Sequence, residues 1–191
     1  MWTHRGISGR FDPGCIDTKT GAVTIIGGAR CVWDDISRLN MRERGDIMVV
    51  NDVGCYLDWP IDHWVSMHKI DLRHWVALRQ SHSMAFGEDF QSHTQESQGS
   101  INNAWYLVEP MPYSGVYAAQ IALALGYDRI TLCGIPQDDS PKLFDPPWIE
   151  PTTHADSNAS IRRIADGNPE FKRCVRSMSG NTREWWGGPD D

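Results

Sequence analysis

Apolar positions along the chain cluster in short blocks separated by polar, Gly-bearing stretches. Ala22–Ile26 (AVTII), Ile47–Val50 (IMVV), Trp64–Met67 (WVSM) and Arg129–Cys133 (RITLC) end at Gly27-Gly28, Asn51-Asp52, His68 and Gly134. Continuous runs of this kind predict strands buried on both faces. Ala104–Val108 (AWYLV) and Cys174–Ser177 read as further strands. Helices are predicted over 32–44, with Val32, Ile36 and Leu39 on one face and Asp34-Asp35 near the positive end of the dipole, and over 69–80 and 157–166. From Ser81 to Asn103 the chain is polar and aperiodic, the pattern of a long surface excursion. Pro136–Pro151 contains five prolines and reads as an extended loop.

The clearest unit is Ser114–Gly134. Ser114 reads as an N-cap and Gly115 as the opening of the turn. Val116, Ala119, Gln120, Leu123 and Ala124 follow at helical spacing, and Gly126 supplies a left-handed end. A strand, a capped helix and a returning strand in about thirty residues make a crossover, which requires a parallel sheet. The fold class is therefore α/β. In a doubly wound sheet the carboxyl ends of the strands share one edge, and ligands bind there.

Composition narrows the function. The 191 residues include 18 basic and 25 acidic side chains, a formal charge of −7. A negative surface repels a phosphate backbone, so general nucleic-acid binding is not expected. No apolar run approaches the ~18 residues of a membrane span, and the first residues lack the apolar stretch of a signal peptide. The expected location is cytoplasmic. Five widely spaced Cys without a C-x-x-C pair read as reduced thiols, several within strands. Residues 1–20 read as an irregular arm and 21–191 as one domain.

Several common chemistries leave no trace. There is no Walker loop, no complete G-x-G-x-x-G, no H-E-x-x-H, no G-x-S-x-G and no Asp-x-Asp metal motif. His63, His68 and His74 do not have metal-ligand spacing and read as surface or hinge histidines. No metal site and no resident cofactor are expected.

What remains sits at strand ends. Gly27, Gly28 and Ala29 form a small-residue turn between a strand and a helix, where backbone N–H groups approach an anion; the alternative is a tight turn with no ligand. Ser114-Gly115 at a helix start has the same physics, with plain capping as its alternative. Asn51 and Asp52, directly after IMVV, are expected to read a sugar hydroxyl or base edge; the alternative is that Asp52 caps the next segment. His154 is a loop histidine suited to general-base work; the alternative is a merely solvated side chain. Arg176 and Ser177, with Lys172 and Arg173 nearby, form a phosphate-holding turn or a solvated C-terminal one.

The block SGVYAAQIALALGYDRITLCGI (114–135) resembles a segment of the bacterial sialyltransferases of glycosyltransferase family 42. It is also similar to the Rossmann-like family that includes the archaeal hydroxymethylpterin pyrophosphokinases. The Gly turn, Asn51 and the late VRSMSG turn fall in the same order. The chain also looks like uncharacterised proteins of bacteriophages and prophages that end in R-S-M-S-G-x-T-R-E. The resemblance implies a Rossmann-like nucleotide-binding domain over 21–191, a phage-encoded product, and cytidine-nucleotide contacts at Gly27, Gly28, Asn51, Ser114 and Gly115. It implies a base at His154.

Three departures bear on activity. Pro136 replaces the family's acidic residue, its loop tyrosines have no match in 137–145, and the chain is short for an acceptor-binding lid. Two functions follow as expectations. The first is a metal-independent glycosyltransferase-like enzyme with a nucleotide-sugar donor. The second is a non-catalytic nucleotide-binding or virion protein that works with itself or a phage partner. A pyrophosphoryl transferase would need an acidic Mg²⁺ site, for which Asp138-Asp139 is the only obvious pair.

Overall fold

The computed structural model describes residues 21–94, 113–146, 148 and 155–191. Within them the apolar blocks assemble into one six-stranded sheet in which every pairing is parallel. The strands are β1 (Ala22–Ile26), β2 (Asp46–Val50), β3 (Ile61–Val65), β4 (Phe86–His93), β5 (Arg129–Cys133) and β6 (Val175–Ser177), in the order β4-β3-β2-β1-β5-β6. The helices are α1 (Val32–Ser37), α2 (Lys69–Ser81), α3 (Ser114–Ala124), α4 (Ala155–Asp166), α5 (Pro169–Cys174) and α6 (Gly180–Trp186). This is the Rossmann-like α/β architecture that the crossover pattern requires.

Alternate residues of each strand feed two cores. On one face Val23, Ile25, Met48, Val50 and Leu132 pack with Val116 and Ile121 of α3 and with Phe171 and Trp186. On the other, Ile26, Ile47, Val49 and Trp64 pack with Val32 of α1 and Leu72 of α2. α3 is buried on most of its circumference, which explains its apolar composition. Tyr127 follows Gly126, whose φ of 93° ends the helix as expected.

Several boundaries differ from expectation, each for a local reason. The helix at 32 closes at Ser37, where the Ser37 hydroxyl donates to the Asp34 carbonyl at 2.8 Å and Arg38 caps the turn. Ser114 is the first helical residue of α3; Tyr113 is the N-cap, and its side chain makes no capping hydrogen bond. The third strand is Ile61–Val65, so Met67 and His68 lie beyond it. The stretch from 81 is not wholly an excursion, because Phe86–His93 pairs with β3 as the edge strand. Gly87, Glu88 and Asp89 at its outer end hid its periodicity. Cys174 closes α5 rather than opening β6, and of the described cysteines only Cys133 lies in a strand. Ala104–Val108 lies outside the described residues. Among those described, no helix is long and apolar enough to cross a membrane.

His63 is buried within the sheet rather than at the surface. Its Nε2 lies 2.9 Å from the Tyr127 hydroxyl and its Nδ1 3.2 Å from His93 Nε2. Tyr127 in turn donates to Asp46. Desolvation, reinforced by the Asp46 carboxylate, drives the phenol far above its ordinary range. This buried chain ties β2, β3 and β4 to the end of α3.

Candidate functional site

The chain runs outward from β1 through β2 and β3 to β4, then crosses by α3 to β5 on the other side of β1. The reversal puts the topological switch point at β1 and β5, and in such sheets the ligand crevice lies beyond the carboxyl ends of the strands there. Gly27, Gly115, Gly134 and Ile135 meet at its floor. A Cβ on Gly27 would stand 2.7 Å from the Gly134 carbonyl oxygen, and one on Gly115 would stand 2.7 Å from Ile135 Cγ2. These two glycines let β1, β5 and the start of α3 touch.

Gly28 is different. Among the described residues a Cβ there would meet only Asp52 Oδ1, at 3.7 Å. The N–H groups on either side are engaged: Gly27 donates to Cys133, Ala29 to Gly134 and Arg30 to Pro141. Gly28 N–H has no acceptor among the described residues. The turn thus offers one backbone donor on an open face, beside a carboxylate.

The loop after β5 straps this turn in place. Leu143 N–H donates to the Gly28 carbonyl at 2.7 Å, Ala29 and Lys142 form an isolated antiparallel bridge, and Arg30 Nη2 donates to the Asp145 carbonyl. Phe144, half exposed, rests against Tyr56 with ring centroids 4.2 Å apart. The aromatic pair flanks the β1 and β2 turns on one side.

Asn51 opens the 3-10 turn Asn51–Cys55 with φ 56°, a conformation that Asn tolerates better than most residues. Trp64 Nε1 donates to its carbonyl at 2.6 Å, and the Ser66 hydroxyl donates to its Oδ1 at 3.0 Å. The carboxamide is therefore held with its oxygen toward β3. Asp52 is half-buried and faces Gly28.

The structure brings Gly27, Gly28, Ala29, Asn51, Asp52, Ser114 and Gly115 to one edge. Arg176 and Ser177, in β6 beside β5, already make hydrogen bonds within the fold. The Arg176 guanidinium donates to the carbonyls of Lys172 and Val175, and the buried Ser177 hydroxyl lies 2.7 Å from Thr182 Oγ1. His154 lies outside the described residues.

Sequence reasoning missed Asp35, read only as an acid near a helix start. Fully buried, it accepts from Gly134 N–H and from the Ser179 hydroxyl, each at 2.8 Å, and from Arg38 at 2.7 Å. The end of β5, the turn after β6 and α1 are all fixed by this one carboxylate. Among the described residues no group of three His, Cys, Asp or Glu side chains is arranged to hold a metal ion.

No family model and no curated protein sequence matches the chain. Solved structures do. The fold is similar to that of the sialyltransferase CstII from Campylobacter jejuni, described in complex with cytidine-5'-monophosphate. The TM-score is 0.60 at 15% identity, covering 89% of this chain and 86% of that one. It is also similar to the monofunctional alpha-2,3-sialyltransferase Cst-I from the same organism, with TM-score 0.60 and 17% identity over 94% and 84%. These likenesses establish the fold that the block at 114–135 implies.

Proposed function

We propose that this protein binds a nucleotide or nucleotide sugar in the crevice between β1 and β5, as a metal-independent glycosyltransferase-like enzyme. The observation that carries the reading is the open face of Gly28, with one backbone donor, beside Asp52 at the topological switch point. A phosphate approaches the Gly28 N–H and the start of α3, where the first backbone N–H groups lack intrahelical partners. Asp52 accepts from a ribose or sugar hydroxyl, and the Asn51 carboxamide reads a further polar edge.

Transfer requires a base to take the acceptor's proton and donors to stabilise the leaving phosphate. His154 is the proposed base. The Gly28 and α3 amides are the proposed donors to that phosphate, because Arg176 Nη1 and the Ser177 hydroxyl already bond within the fold. Since the Campylobacter enzyme is described with cytidine-5'-monophosphate, cytidine nucleotides are the first to test. A phage gene product acting in the host cytoplasm is part of the same proposal.

The test is a thermal-shift screen with CMP, UMP, UDP, GDP, AMP and their sugar conjugates, with and without Mg²⁺. A ligand at about 100 times its Kd adds about 2.7 kcal/mol of stability. A Mg²⁺-independent shift that is lost in Asp52→Ala supports the crevice. Release of free nucleotide that is lost in His154→Ala, with binding kept, supports transfer. Binding without release makes the protein a nucleotide-binding or assembly component, and no shift with any compound overturns the proposal.

A further inference from the structure

Beyond β5, a second polar cluster takes no part in the nucleotide contacts above. Gln137 has φ 53° and 8% of its surface exposed. Its carbonyl accepts from Asn158 Nδ2 in the first turn of α4, at 3.1 Å, and from Asn181 Nδ2 in the first turn of α6, at 2.9 Å. The first bond fixes the Asn158 carboxamide, with Nδ2 on the Gln137 carbonyl and Oδ1 turned away. Among the described residues that buried Oδ1 has no hydrogen-bond partner, and neither has the buried Gln137 Nε2.

Left-handed backbone at a non-glycine residue and unmade buried hydrogen bonds all oppose folding. Three such features at one place, on the edge where ligands bind, call for a compensating group. Its chemistry follows from the two atoms. Nε2 needs an acceptor and Oδ1 needs a donor. A phosphate or carboxylate serves only the first, and an ammonium only the second. A hydroxyl serves both.

We infer that Gln137 and Asn158 form a recognition subsite for a sugar hydroxyl, on the part of the donor that is transferred. Placing it on that part rests on the nucleotide-sugar reading: Gln137 lies just beyond Gly134 and Ile135, against which the nucleotide rests in that reading, so the group it reads lies past the phosphate. The subsite selects a hydroxylated ring and contributes nothing to the bare nucleotide.

Calorimetric titration of the wild type and Gln137→Met with CMP, UDP and GDP, and with CMP-N-acetylneuraminate, UDP-glucose and GDP-mannose, tests this. Gln137→Met removes a donor with no protein partner, so the melting temperature of the ligand-free variant stays the same or rises. Affinity for the sugar conjugate falls about tenfold, the worth of one ligand hydrogen bond, while affinity for the nucleotide is unchanged. Equal loss for both ligands, or loss for neither, overturns the subsite. So does a crystal structure in which a water still bridges the two amides with the conjugate bound.

If no nucleotide binds the wild type, the reading above fails and the subsite is tested alone. Saturation-transfer NMR with free glucose, galactose and N-acetylneuraminate then shows a contact abolished by Gln137→Met. Its absence overturns the inference.

Discussion

The Asp35 carboxylate accepts a hydrogen bond from the backbone N–H of Gly134, 99 residues further along the chain. The same oxygen accepts from the Ser179 hydroxyl, so one buried group sets the spacing of α1, β5 and the turn after β6. Removing it strands a buried N–H and a hydroxyl as well as deleting a charge-assisted pair. Asp35→Ala is expected to cost about 3 kcal/mol, and Asp35→Asn about half of that. Urea denaturation reads both, and a loss under about 1 kcal/mol for the alanine variant would remove Asp35 from this role.

Gly27 and Gly28 are adjacent, yet the structure separates their functions. A methyl group on Gly27 collides with the Gly134 carbonyl and Ile135, whereas one on Gly28 meets only open space and Asp52. Gly27→Ala should therefore lower the melting temperature. Gly28→Ala should hold stability within about 0.5 kcal/mol and weaken the nucleotide-induced shift. If the two variants behave alike, the open face of Gly28 is not where the ligand approaches.

That contrast marks how far the sequence could be read. Both glycines were visible as a strand-end turn, but only packing shows that one is structural and the other faces outward. β1, β2, α3 and β5 were legible because most of their residues are buried and apolar. β4 was not, because an edge strand solvates its outer end and Glu88 and Asp89 break the pattern. α5 carried a readable start, with Asn168 as N-cap accepting from the Glu170 and Phe171 amides and Pro169 at the first position. Its six residues are too few to show a period. Asp35, Gln137 and Asn158 act through tertiary contacts and leave no local signal.

Arg79 is almost fully buried and donates to the carbonyls of Gly54, Leu57, Trp59 and Ala85. Its planar fork closes the segment after β2 onto the end of α2. Burial lowers its pKa, but the group is still cationic and satisfied by carbonyl dipoles. Arg79→Lys cannot reproduce the fork and should cost about 2 kcal/mol, and Arg79→Ala about 4 kcal/mol. Hydrogen exchange should rise first at Tyr56 and Leu57. Unchanged protection there would mean the clasp is dispensable.

The thiols of Cys31 and Cys55 make the last prediction. Burial is the main cause that raises each from 9.0 to about 11, with the Asp52 carboxylate adding to the effect at Cys55. In the unfolded chain both ionise at the lower value, so the folded state holds its protons longer. The stabilisation is complete below about pH 9 and is lost as pH rises toward about 11. Urea midpoints should therefore fall across that alkaline window. At pH 8 the folded thiolate fraction is about 100-fold below that of a free thiol. Iodoacetamide labelling, read peptide by peptide, should be slower at Cys31 and Cys55 by a comparable factor than in the urea-unfolded chain. Equal labelling rates in the two states would show that these thiols are not shielded as the fold requires.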